Sequence, residues 1–211
     1  KELAGEVNVP IGLHADHDYS YGAVVRSMNA GFDSIMIDGS MHSLEKNISI
    51  TKEVVFKAHS LNVCVEGEIG HVGLAKEDAD SREDLYTKPE VAKKFCDETG
   101  VDALAVSIGN AHGEYKSIPK LDIKRLEEIH DMTDVPLVLH GGSGIPDDQL
   151  LIAFSKGINK FNLGTEFLGR YYSAMEEYIN VNKYNSNTVK IIDLPEYVQS
   201  RLQPYLENRL R

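Results

Sequence analysis

The chain of 211 residues carries 22 basic and 33 acidic side chains, a formal net charge of -11, with 42% hydrophobic and 26% charged residues. That composition fits one soluble globular domain, and its negative charge repels phosphate backbones and anionic membranes, so neither nucleic acid nor membrane is an expected partner. No apolar run reaches membrane-spanning length, the opening "KELAGEVNVP" lacks a signal-peptide pattern, and the two cysteines, Cys64 and Cys96, suit reduced, buried thiols of a cytoplasmic protein.

In chain order, short runs rich in Val, Ile and Leu occur at "VPIGLHAD", "DSIMIDGS", "VCVEGEIG", "ALAVSIGN", "PLVLHGGS" and "NKFNLGT". Each is followed by a polar turn and a segment of helical period, which predicts six strand-plus-helix units. Thr87 and Pro89 open "KPEVAKKFCDETG" and Gly100 closes it; Asp122 opens "IKRLEEIH"; Pro146 opens "DDQLLIAFSK" and Gly157 closes it. Strands apolar on both faces that alternate with helices imply a parallel sheet covered by helices.

Residues capable of chemistry fall at the carboxyl ends of these strands: Asp16 and His17, Asp38, Glu66 and Glu68, His112, and His140. A barrel gathers such ends around one mouth. A doubly wound sheet would place them at one switch point, usually after a glycine-rich first turn, and no G-x-G-x-x-G follows the first strand. The expected architecture is a (β/α)8 TIM barrel. A closed one needs eight strands and about 250 residues. The chain is therefore read as a single barrel domain over residues 1–211 that lacks its first two units, with the gap between its first and last strands.

A lone histidine near a strand end is more often structural than functional, and His14, His42, His59 and His130 take that reading. Asp18, Asp78, Asp80 and Asp84 read as solvated loop carboxylates. His17, His112 and His140 differ, because each follows a buried strand beside a small or acidic residue. Three imidazoles from three strands can ligate one divalent cation and leave a position open, an arrangement that suits catalytic zinc better than magnesium. "HGGSG" and "NLGT", on consecutive units, offer backbone N–H groups that an anion can approach, which points to phosphate at the ends of the last two strands.

"LHADH", "MIDGS", "VEGEIG", "AVSIGNAHGEYK", "PKLD", "LVLHGGSGIP" and "NLGT" occur in that order, and with them the chain resembles the class II, metal-dependent ketose-bisphosphate aldolases of fructose- and tagatose-bisphosphate type. The resemblance runs from about Val9 to beyond Thr165. It implies zinc ligation by His17, His112 and His140, with Asp16 as catalytic acid/base. It also implies a second or vacated position for a divalent or monovalent cation at Asp38 and Glu68. Gly113, Gly141, Gly142, Ser143, Asn162, Leu163, Gly164 and Thr165 match segments that hold the ketose phosphate. Glu77 matches the family's loop glutamate that moves a proton on the substrate carbon. The looser "HVGLAKED" leaves Asp78 as the alternative. The implied reaction is cleavage of fructose or tagatose 1,6-bisphosphate to dihydroxyacetone phosphate and glyceraldehyde 3-phosphate, in a cytoplasmic homodimer or homotetramer.

Four other readings compete, one of them a non-catalytic binding protein or inactive fragment, which the intact His17, His112, His140 and Asp16 argue against for the whole protein. Another phosphorylated ketose or deoxy sugar acid would fit the same site. A barrel metallohydrolase would also use histidines at strand ends, with a carboxylate or modified lysine bridging two metals. A Schiff-base aldolase needs a lysine at the mouth, and Lys160 reads as the start of its strand, the opposite end.

Overall fold

Five of the six apolar runs become strands at the expected places, and the first does so only at its end. The computed structural model describes residues 3–73, 85–182 and 191–209. In chain order it contains β1 (His14–Asp18), α1 (Tyr21–Asn29), β2 (Ser34–Ile37), α2 (Leu44–His59), β3 (Cys64–Ile69), α3 (Pro89–Thr99) and β4 (Ala103–Val106). There follow α4 (Ile123–Met132), β5 (Leu137–Leu139), α5 (Asp147–Ser155), β6 (Ile158–Phe161), α6 (Thr165–Asn182) and α7 (Leu194–Arg209). All strand pairs are parallel, and the sheet order is β1-β2-β3-β4-β5-β6, so β1 and β6 are its edges. The fold is an incomplete TIM barrel, and its two edges are the strands between which the sequence places the gap.

Residues 1–162 form one compact unit and residues 163–211 another. In the first, alternation along each strand separates two faces. Ile35, Ile37, Val65, Leu104, Val106, Leu137 and Leu139 pack into the main core with residues of the helices, among them Val54 of α2, Phe95 of α3, Leu126 of α4 and Ala153 of α5. Fully burying each large side chain of this set contributes roughly 1.5–3 kcal/mol. Gly67 lets α3 pack closely on β3, because a Cβ there would lie 2.8 Å from the Phe95 ring. The opposite face has only a small apolar cluster, Met36, Ala105 and Val138 with Ala103 against it. The sequence suggested strands apolar on both faces, and the structure shows that only the helix-facing side is so.

Local signals explain the helix ends. Ser20, Ser43 and Asp122 each accept a hydrogen bond from a backbone N–H of the first turn of α1, α2 and α4. Before α3 the cap position falls on Lys88 with Pro89 at the start, while Thr87, expected to open it, instead donates its hydroxyl to Ile69 O at 2.7 Å. In the second unit α6 and α7 pack through Ala174, Val198 and Leu202.

Two further expectations need correction. Val9, Ile11 and Leu13 are exposed and precede the strand, since β1 is an edge with a neighbour on one side only. Cys64 is exposed as the first residue of β3, at the amino end of the sheet; both cysteines are free. Among the described residues no helix is long and apolar enough to cross a membrane.

Candidate metal centre

The end of β1 is irregular in a way that serves the site. The register with β2 shifts between Ala15 and Asp18, and His17 takes φ +56, a left-handed backbone rare outside glycine. Such a conformation costs on the order of 1–3 kcal/mol and persists where the surroundings enforce it. Here the bulge accompanies a turn of the His17 ring toward residues far along the chain. His17 Nε2 lies 2.9 Å from His140 Nδ1, and the rings of His17 and His112 meet edge to face with centroids 5.0 Å apart. One ring nitrogen from each of His17, His112 and His140 lies within 4.8 Å of the others.

Two of the three rings, those of His17 and His140, have a carboxylate at the outer nitrogen. His17 Nδ1 is 3.1 Å from Asp38 Oδ2, whose other oxygen accepts from Ser40 N and Oγ at 3.0 and 2.7 Å. His140 Nε2 is 2.7 Å from Glu66 Oε1. Both outer nitrogens are therefore best protonated, which leaves two lone pairs opposed at 2.9 Å. That arrangement repels itself unless a proton or a cation lies between. Burial, then the charges of His17 and His140, lowers His112 to about 4, so it is neutral near pH 7 as a ligand must be. Glu68 Oε2 is buried, has no hydrogen-bond partner among the described residues, and lies 3.8 Å from His140 Nδ1. Burial and the Asp38 charge push the Glu68 carboxyl up to about 8, against the lowering effect of the Val72 amide, the His17 charge and the Ser40 hydroxyl. The donor set fits a divalent cation: three imidazoles, two of them oriented by carboxylates, and one buried oxygen with nothing to bind.

Asp16 sits beside this set. Its oxygens accept from Asn162 Nδ2 at 3.1 and 3.2 Å, and His14 Nε2 is 3.7 Å from Oδ1. Burial acts to raise its carboxyl, but the His14 contact and the charges of His140, His17 and Lys160 prevail and hold it at about 2. The backbone of His140 is fixed by Asn110, whose side chain donates to His140 O at 3.0 Å.

The "HGGSG" turn is packed as well as glycine-rich. Gly141 has φ +63, and a Cβ there would lie 2.1 Å from Ala111 O, so only glycine fits. The Gly142 amide donates to Asn162 O at 3.0 Å, Ser143 is buried, and Gly113 faces open space. Leu163, Gly164 and Thr165 belong to the second unit, where Thr165 begins α6. Glu77 and Asp78, like Asp80 and Asp84, lie outside the described residues. Asp18 is not a solvated loop carboxylate: it ends β1 and accepts from Ser27 Oγ of α1 at 2.7 Å.

Sequence reasoning misplaced two residues along their strands. Glu66 is the third residue of β3, not its end, and Lys160 is the third of four in β6, not its start. They meet at 2.7 Å, Lys160 Nζ to Glu66 Oε2. The signal was the alternation "VEGEI", which puts Glu66 and Glu68 on one face and Val65 and Ile69 on the other. His14, read as structural, bonds Ser34 Oγ through Nδ1 at 2.6 Å and turns a buried Nε2 toward Asp16 and Glu66.

Three histidines at the carboxyl ends of parallel strands, with an ionised aspartate beside them, define a (β/α)-barrel protein with a candidate divalent-metal site. The chain belongs to the class-II fructose-bisphosphate aldolase family, whose model matches residues 1–209. A fructose-bisphosphate aldolase of Geobacillus stearothermophilus is 41% identical over 171 residues, 81% of this chain and 60% of the relative. The chain thus spans less than two thirds of that relative's length. Among solved structures, the YdjI aldolase of Escherichia coli K12 superposes with a TM-score of 0.82 at 33% identity, over 99% of this chain and 71% of that one. Fructose-bisphosphate aldolase of Campylobacter jejuni gives a TM-score of 0.75 over 97% of this chain and 71% of that one; at 24% identity it speaks to the fold alone.

Proposed function

We propose that the protein catalyses metal-dependent aldol cleavage and condensation of a phosphorylated ketose, fructose or tagatose 1,6-bisphosphate, through dihydroxyacetone phosphate and glyceraldehyde 3-phosphate, with zinc as the cation. The observation that carries this reading is the meeting of His17, His112 and His140 beside the ionised Asp16. His17, His112 and His140 would hold the cation, and Glu68 offers a further oxygen 3.8 Å from His140 Nδ1. Bound there, it would supply Lewis-acid stabilisation of negative charge on the substrate oxygens.

The residues do the rest. In cleavage the bond between C3 and C4 breaks. Asp16 takes the proton of the C4 hydroxyl, the C4–O bond becomes the aldehyde, and the electron pair of the broken bond passes to the ketone oxygen as an enediolate. In condensation Asp16 returns the proton. Asn162, donating to both Asp16 oxygens, holds the carboxylate in place between these events. Asp38 and Glu66 hold the ligand rings in one tautomer. The open backbone at Gly113 and the turn from Gly141 to Ser143 are the parts of the first unit proposed to receive phosphate. Glu77 or Asp78 is proposed to exchange the proton on C3.

The test is metal content by elemental analysis together with aldol cleavage before and after a chelator, on the purified chain. About one zinc per chain, activity lost with the chelator and restored by zinc, and loss of both in His140→Ala are expected. Undiminished cleavage by metal-free protein, or full zinc content in His140→Ala, would overturn the proposal.

A further inference from the structure

The His140 side chain is fully buried, and its two ring nitrogens have different company. Nε2 lies 2.7 Å from Glu66 Oε1 and 3.2 Å from Asn162 Nδ2, whereas Nδ1 faces His17. An ionised carboxylate has no proton to give, so the shorter contact requires the proton on Nε2. The Asn162 amide nitrogen has no lone pair to compete for it and donates to Asp16 instead. Nδ1 is thereby left with its lone pair toward the mouth.

Glu66 is itself buried, with 3% of its side chain exposed, and its neighbours across the sheet do not suit a charge. Met36 and Ala103 stand opposite it in the ladders, and Ala105 and Val138 complete the apolar cluster of that face. Lys160, paired with Val138 in register, reaches across this cluster to Glu66 Oε2. A carboxylate buried beside these apolar side chains is a costly way to fill a barrel interior, although Lys160 is 37% exposed and His14 Nε2 stands 3.6 Å from Glu66 Oε2. Hydrophobic packing gives no reason for it, and the ring of His140 does.

We infer that Glu66 and Lys160 form a positioning pair that sets the tautomer and orientation of His140, with Lys160 acting on that ring through Glu66. The inference rests on the metal-dependent reading above. Carboxylates that hold the outer nitrogen of a ligand histidine are worth typically 10–100-fold in metal affinity.

The experiment measures zinc affinity of the full chain by competition with a chromophoric chelator, together with the visible spectrum of the cobalt(II) form. Circular dichroism reports folding. Glu66→Gln is expected to weaken zinc binding by about 10–100-fold and to change the cobalt bands. Lys160→Met should weaken binding less than Glu66→Gln, Lys160→Arg should retain it, and Lys160→Met added to Glu66→Gln should cause no further loss. Unchanged affinity and spectrum in folded Glu66→Gln, or losses that add in the double variant, would overturn the inference. If Glu66→Gln does not fold, the Lys160 variants decide: loss with Met and retention with Arg support the pair, and equal affinities overturn it. Failure of the parent chain to bind zinc is a separate outcome that overturns the metal-dependent reading itself.

Discussion

The two faces of the six-stranded sheet obey different rules although they are made by alternate residues of the same strands. Toward the helices, Ile35, Ile37, Val65, Leu104 and Leu139 are wholly buried and apolar. On the other face, Met36, Ala105 and Val138 share the space with Glu66, Glu68, Lys160, His14 and His140, a set held by hydrogen bonds and ion pairs. The helix-facing side is organised for stability. The inner side spends buried volume on polar groups that hold one another in fixed orientations, which is what a reactive site requires.

That division can be broken by substitution. The largest effect is expected from Asp16→Ala: cleavage slower by roughly two to four orders of magnitude, with zinc content and melting temperature near those of the parent. Loss of zinc along with the rate would make Asp16 a ligand or a support, not the proton carrier. Next, Leu104→Ala on the helix-facing side should cost about 3 kcal/mol in denaturant unfolding, through lost burial and a residual cavity, with little change in the rate of the remaining folded protein. Equal stability losses at the two positions would erase the distinction between the faces.

The smallest effect lies outside both faces. Asp122→Ala removes the side chain that caps α4 and should cost about 1 kcal/mol. Although burial acts to raise the Asp122 carboxyl, hydrogen bonds from the Arg125 amide and guanidinium and the charges of Arg125 and Lys124 hold it below its usual value. Its contribution is therefore present above the ordinary carboxylate range and is lost as pH falls through the lowered value. The stability gap between parent and variant should narrow as pH is lowered, and a gap that widens would contradict the sign.

The elements themselves were legible because their signals are local. Short runs rich in Val, Ile and Leu marked β2, β3 and β4, Asp122 and Gly100 marked helix ends, and carboxyl-end positions marked His17, His112 and His140. What escaped was set by partners distant in sequence. Val9 to Leu13 has the composition of a strand but no neighbour on its outer side. The place of Lys160 within β6 follows from its pairing with Val138, which no window around Lys160 reveals. The glycines of "HGGSG" suggested an anion cradle, yet Gly141 is also demanded by the carbonyl of Ala111, thirty residues earlier. His14 looked structural because the carboxylate of Glu66 arrives from another strand.

The sheet order has a consequence for how the molecule assembles. Every strand pairs with its neighbour in the chain, so the ladder can grow by short closures such as the 20-residue separation of His14 and Ser34. The mouth instead joins His17 to His140 across 123 residues and Asp16 to Asn162 across 146. Closing the 123-residue loop instead of the 20-residue one costs about 1.6 kcal/mol more in chain entropy. On chain entropy alone, strand pairing is favoured ahead of the mouth contacts among Asp16, His17, His140 and Asn162.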